Sequence, residues 1–214
     1  MYAWLILLAA IGLALRRLFV GYPRPVESLK WLASREVSFL VAAAEATFPA
    51  GGAIPLAGLD AGLPRYVDRW LEALPLRQRR LIRALFFLVE HATLLFPAPG
   101  RRGLWRFSSL SLEQREAVLR GWAESRLFAR RLVFMSLRAI LTMGYLGHPT
   151  AMRHLHLAPY AFESPVLQAD LLYPPIGKSR ADNPVSVDDL TRASDGTPLD
   201  LSGPLHADYR ESPL

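Results

Sequence analysis

Residues 76–96 read LRQRRLIRALFFLVEHATLLF, and this stretch decides the fold. No Gly or Pro interrupts it, and Pro75 and Pro97 bound it. Leu81, Leu85, Leu88, Ala92 and Leu95 recur at helical spacing and predict an apolar stripe, with Arg77, Arg80 and Arg83 on a basic face. The second half, LFFLVEHATLLF, is apolar nearly all round, which places the helix at the centre of a bundle.

Working outward, Ser34 is read as the cap of an earlier helix with Glu36 in its first turn. Val37, Leu40, Val41, Ala44 and Phe48 continue that helix to Pro49. Pro64 suits the first turn of a second helix, whose apolar face is Val67, Trp70, Leu71 and Leu74 and which Pro75 ends. Ser111-Leu112-Glu113-Gln114 is a capping box that opens a fourth helix through Leu119 and Trp122. A fifth runs from about Ser125 to Leu146 and closes at Gly147-His148-Pro149. No alternating β-branched run argues for a sheet. The expected fold is all-α, a bundle of about five helices.

Two extensions flank this bundle. Met1–Leu15 (MYAWLILLAAIGLAL) carries no charge and ends in Arg16-Arg17. It is shorter than the ~20 residues that cross a bilayer, but Leu18-Phe19-Val20 lengthen it if the two arginines reach back to the headgroups. A secretory signal would carry its positive charges before the apolar run; here they follow it. Three readings compete: such a signal, an anchor helix over residues 1–22, which fits better, and a helix buried in a partner or lying in the interface. As an anchor it places Tyr2 and Trp4 in one interface and Arg16 and Arg17 in the other. The positive-inside rule then puts the body on the cytoplasmic face of an inner membrane, with the periplasmic face as the alternative.

From Pro159 onward the chain is Pro-rich and acidic, with four basic and nine acidic residues against an overall net charge of +6. The prolines forbid a long helix. Tyr160, Phe162, Leu172, Tyr173 and Ile176 are unusual for plain disorder and suit an extended arm that lies along a partner. The expected division is therefore 1–22, 23–158 and 159–214. A basic body suits anionic lipid or an acidic partner. Nucleic acid is not expected, because the arginines sit among core-like apolar residues and no binding motif accompanies them.

The chain has no cysteine, which excludes disulfides, thiol catalysis and iron–sulfur ligation. His148, His154 and His156 lack an acidic residue among them to complete a metal shell. His91, beside Glu90, is read as a buried histidine making one hydrogen bond, and Glu45 as an ion pair with an arginine inside the bundle. No G-x-S-x-G and no phosphate loop occur. No catalytic, cofactor or metal residue is expected in this chain. The partner-binding residues expected are Arg77, Arg80 and Arg83 with Tyr160, Phe162, Leu172, Tyr173 and Ile176.

Four stretches resemble the gluconate 2-dehydrogenase subunit 3 family: Ser34–Pro49 (SREVSFLVAAAEATFP), Leu63–Pro75 (LPRYVDRWLEALP), Phe107–Arg126 (FSSLSLEQREAVLRGWAESR) and Leu137–Pro149 (LRAILTMGYLGHP). Phe107–Arg126 is the most distinctive, similar to an F-x-x-L-s-x-e-Q-R segment of that family. The resemblance covers roughly residues 34–150 and implies a small helical subunit accompanying a flavin-dependent dehydrogenase of the glucose–methanol–choline type. It implies FAD in the partner and none here, with the small subunit stabilising the flavoprotein at a membrane. The alternative function is a membrane-bound scaffold or regulatory protein without a redox partner. A third is an enzyme whose site is assembled from Arg and His.

Overall fold

Helix α1 (Ser34–Thr47) begins where a carboxylate reaches back over its own first turn. Glu36 Oε2 accepts a hydrogen bond from the Ala33 N–H at 2.7 Å and supplies the acceptor that Ala33 lacks. The computed structural model in which this is seen describes residues 4, 8, 12, 15–25, 28–161, 165–173, 176–177, 179–192 and 204–210. Ser34, expected as the cap, is instead the first helical residue: Glu36 already serves the N-terminal amide.

The chain divides into two units, Met1–Leu155 and His156–Leu214. In the first, α1 is followed by α2 (Leu63–Ala73), α3 (Leu76–His91), α4 (Leu112–Ala123), α5 (Phe128–Leu146) and α6 (Pro149–His154). The molecule is all-α, with no strand among the described residues.

Each boundary has a local cause. Pro64 sits in the first turn of α2, where its missing N–H costs nothing. Arg79 closes the other end, donating to the carbonyls of Leu71, Glu72 and Leu74 while its guanidinium lies 3.6 Å from the Trp31 ring. The capping box at Ser111 forms: Ser111 Oγ accepts from the Gln114 N–H and Gln114 Oε1 from the Ser111 N–H. His148 Nδ1 accepts from the Thr150 N–H and caps α6.

Helix α1 packs on α2, α3 and α4, while α5 packs on α2 and α4. The Phe39 ring lies between Phe86 of α3 and Phe107, with centroids 5.7 and 5.6 Å away. Leu40, Leu63, Val67, Leu71, Leu137 and Leu141 complete the buried centre. Each such side chain contributes about 1.5–3 kcal/mol of transfer free energy. Asp68, also buried, accepts from the backbone N–H groups of Lys30, Trp31 and Leu32, and so ties the approach to α1 onto α2.

Helix α3 departs from expectation in length and in phase. It ends at His91 and tightens into a 3-10 turn over Ala92–Leu94 instead of running to Phe96. Its buried residues are Phe86, Val89, Glu90 and His91, whereas Leu81, Leu88 and Leu95 of the expected core stripe face outward. The cause is Arg83. Its guanidinium is drawn onto the buried Glu36 carboxylate at 2.7 and 3.0 Å, which turns that side of the helix inward. Helix α5 starts at Phe128, slightly later than expected.

The second unit holds a short helix, α7 (Gln168–Leu172), and single 3-10 turns. Thr191 fastens its N–H to the Val166 carbonyl and its hydroxyl to the Val166 N–H. Tyr160 and Leu205 form an isolated bridge.

Where α2 and α5 cross, Gly144 is the contact. A Cβ there would lie 2.6 Å from both Leu63 Cδ2 and Tyr66 Cδ1. Gly144→Val should therefore destabilise the first unit by about 2–3 kcal/mol through overpacking, read as a lowered urea midpoint with an unchanged slope.

Candidate functional site

Two regions of the first unit carry more than packing. One is a polar cluster at the end of α3; the other is an apolar face on α3 and α5.

The cluster is built where the chain after residue 15 meets the end of α3. Residues 15–19 are helical. Arg106 closes that turn by donating to the carbonyls of Val20 (2.8 Å) and Gly21 (2.6 Å), and its guanidinium stands 3.9 Å from the Tyr22 ring. A cation at a helix C-terminus satisfies orphan carbonyls and meets the negative end of the dipole. Arg17 points into the body, donating to Thr93 Oγ1 at 2.9 Å and to the Leu104 carbonyl at 2.6 Å. Arg17, expected at the membrane interface, thus has fixed acceptors on the body.

Beneath these arginines lies Glu90, whose carboxylate accepts from the Ser108 N–H at 3.0 Å and its hydroxyl at 2.5 Å. Burial raises its pKa, against the opposing pull of the Ser108 bonds and Arg106. Burial and the Glu90 charge push the Tyr22 phenol up to about 12. His91 is driven down to about 4, first by burial and then by Arg17, Arg106 and Arg35. Both its ring nitrogens are buried without a hydrogen-bond partner, so the single bond expected of it is absent. At neutral pH the imidazole is uncharged.

The second region follows from the phase of α3. Leu81, Leu88 and Leu95 are 62, 48 and 79% exposed. On α5 Phe128, Leu132 and Met135 form a matching outward stripe, at 69, 50 and 65%. The two meet in an apolar cleft of about 570 Å³ lined by Leu88, Leu95, Phe96, Trp122, Phe128 and Val133, among others. Arginines border the area: Arg77 and Arg80 on α3, and Arg126, Arg131 and Arg138 beside α5, with Arg131 tied to the carbonyls of Ser125 and Arg126.

Arg77 and Arg80 are exposed, as a docking role requires; Arg83, expected beside them, is held by Glu36. In the second unit Tyr160, Leu172, Tyr173 and Ile176 are exposed. Phe162 and Tyr2 lie outside the described residues, as does half of the 1–22 segment; Trp4 and Arg16 are exposed. Glu45 pairs with Arg115 at 2.5 Å. Among the described residues no helix is long and apolar enough to cross a membrane, and no group of three His, Asp or Glu side chains could hold a metal ion. Asp68, Arg106, Tyr22 and Ser108 escaped the sequence reading, because each acts on groups far along the chain.

Comparison with protein-family models, with curated proteins and with solved structures finds no match to this chain.

Two outcomes follow. Arg106→Gln should loosen residues 15–22 from the body, seen as at least tenfold faster amide exchange at Val20 and Gly21 while α1 and α2 stay protected. The second concerns pH. An unfolded His91 protonates near 6.5, while the folded one does so near 4, so between these values the unfolded chain binds more protons. Stability therefore falls as pH drops from 6.5 toward 4, by at most about 3 kcal/mol from this residue. Glu90, with its raised pKa, acts in the opposite sense. His91→Leu should remove the His91 part of the slope, measured as the difference in urea midpoint between wild type and variant across that window.

Proposed function

We propose that this chain is a non-catalytic accessory subunit that holds a larger enzyme at a membrane. The observation that carries the reading is the arginine-bordered apolar face of α3 and α5. Leucine, phenylalanine and methionine side chains stand exposed at helical spacing on both helices, beyond what scattered surface hydrophobes need. Apolar centres with charged borders are how protein interfaces are built, and arginine is favoured at them.

The resemblance of Ser34–Pro49, Leu63–Pro75, Phe107–Arg126 and Leu137–Pro149 names the partner class: an FAD-dependent alcohol or sugar dehydrogenase. In that arrangement hydride transfer takes place wholly in the flavoprotein. The small subunit covers apolar surface and keeps the flavoprotein near the electron acceptors of an inner membrane. Residues 1–22 serve as the anchor or interfacial segment, with Trp4 and Arg16 at its described positions. The exposed Tyr160, Leu172, Tyr173 and Ile176 of the second unit add contacts along the partner. A membrane-bound scaffold without a redox partner is the competing reading, and the same face would serve it.

The test is isolation of the tagged chain from its native membrane in mild detergent, with the eluate scanned for flavin absorbance. A stoichiometric yellow partner is the expected result. Leu81→Asp and Met135→Asp, both on exposed positions away from the cleft, should each reduce the recovered flavoprotein at least tenfold while leaving the helical circular dichroism unchanged. A colourless, solitary chain, or full recovery of flavoprotein with both variants, would overturn the proposal.

A further inference from the structure

The cleft between the end of α3 and the start of α5 is more than an interface. We propose that it binds a single-chain anionic amphiphile, with an alkyl tail along Leu88, Leu95, Phe128 and Val133 and an anionic head, a carboxylate by preference, on Arg130. This goes beyond the subunit reading and does not depend on which enzyme, if any, the chain accompanies.

Three kinds of observation converge. The first is size and lining. At about 570 Å³ the cleft falls within the roughly 300–1,000 Å³ of small-molecule sites, and its walls are almost wholly apolar. A second, smaller cavity of about 310 Å³ adjoins it through the shared residues Leu95, Phe96, Trp122 and Arg130.

The second is an uncompensated charge. Arg130 lies over the Phe96 ring at 4.1 Å and the Trp122 ring at 5.4 Å. No carboxylate of the described residues pairs with it, and its Nε is buried without an acceptor. A guanidinium packed against aromatic rings can still offer its N–H edge, and such an edge matches a carboxylate with two parallel bonds. Between Arg120 and Arg131 the chain carries Arg120, Arg126, Arg130 and Arg131 against Glu124 alone, so the local field favours an anion.

The third is polar groups left waiting at the walls. Trp122 Nε1 and both nitrogens of His91 are buried without partners, and both residues line the cleft. His91 is nine-tenths buried. Unpartnered buried polar groups are uncommon in folded proteins, and those of Trp122 and His91, together with Arg130 Nε, gather around this one cleft and point to a ligand that supplies partners. His91 is neutral at physiological pH and adds no charge to the lining. The only charge in the lining is therefore Arg130, and a ligand with one apolar end and one anionic end satisfies both halves.

The experiment uses the full chain with hexadecanoate carrying a photoactivatable diazirine on its tail, followed by peptide mapping. Labelling should fall on Leu88–Phe96 and Leu127–Val133, and excess unlabelled hexadecanoate should abolish it. Hexadecanol should compete about tenfold less well, the factor expected for one charge-assisted contact. Arg130→Gln should cut labelling by the acid about tenfold and leave competition by the alcohol unchanged. Ala129→Trp, which fills the cleft from an exposed position on α5, should remove labelling without altering the helical circular dichroism. A parallel arm places the diazirine on the acyl chain of phosphatidylglycerol in vesicles. The same peptides labelled there identify a bilayer lipid as the source, and labelling by the free acid alone identifies a soluble fatty carboxylate. Labelling that does not compete, equal competition by acid and alcohol, or indifference to both variants would overturn the proposal. So would absence of labelling with cleft protection only when a protein partner co-purifies, which would assign the cleft to that partner.

Discussion

The bidentate pair between Glu36 and Arg83 sets the geometry on which the rest of the first unit depends. A carboxylate at the third position of α1 does two things at once. It satisfies the Ala33 amide at the head of its own helix, and it accepts both Nε and Nη2 of Arg83 from α3. Removing one partner of a buried pair leaves an uncompensated charge, a loss of about 3–5 kcal/mol when burial is complete. Here Arg83 keeps 35% side-chain exposure, so the loss is smaller, but the orientational effect is undiminished. With Arg83 fixed inward, a helix turning roughly 100° per residue carries Phe86 and Glu90 inward too and sends Leu81, Leu88 and Leu95 to the far side. One ion pair thereby exposes the leucines that make the apolar face.

This explains where the sequence was legible and where it was not. Helix existence followed from periodicity and punctuation: Pro64, Pro75, the Ser111–Gln114 box and Pro149 all act locally, and each sits at an observed boundary. The phase of α3 was not legible. Its second half is apolar all round, so periodicity offered two nearly equivalent faces, and the choice was made by a charged residue on another helix. The same holds for the candidate site. Arg17 reads as a membrane-interface residue and Arg106 carries no local signal, yet they bond Leu104, Thr93, Val20 and Gly21 more than 70 positions away along the chain. Local patterns cannot report contacts of that separation.

The polar cluster beneath those arginines resolves into a division of labour. Glu90 is held by Ser108 and lies under Arg17, Tyr22 and Arg106, so burial and positive neighbours pull its proton affinity in opposite directions. His91, the next residue, meets only positive neighbours and burial, and both forces keep it neutral. Adjacent residues on one helix thus project into different environments. Glu90 binds the end of α3 to the Ser108 turn, and its field supports the arginines that hold residues 15–22. His91 takes no hydrogen bond from that network, and its unmet nitrogens belong to a residue that lines the apolar cleft.

That juxtaposition links the two regions. Arg17 is anchored at Thr93, two residues beyond His91 and in the 3-10 segment where α3 tightens. Leu94 and Leu95, at the end of this tightened turn, line the cleft together with Leu127 and Phe128. The segment after residue 15 and the cleft are therefore two sides of one structural element, the end of α3. Arg17 contacts this turn at Thr93 from one side, and Leu94 and Leu95 line the cleft on the other. A single short 3-10 turn thus carries both sets of contacts, so its geometry is constrained from two directions at once.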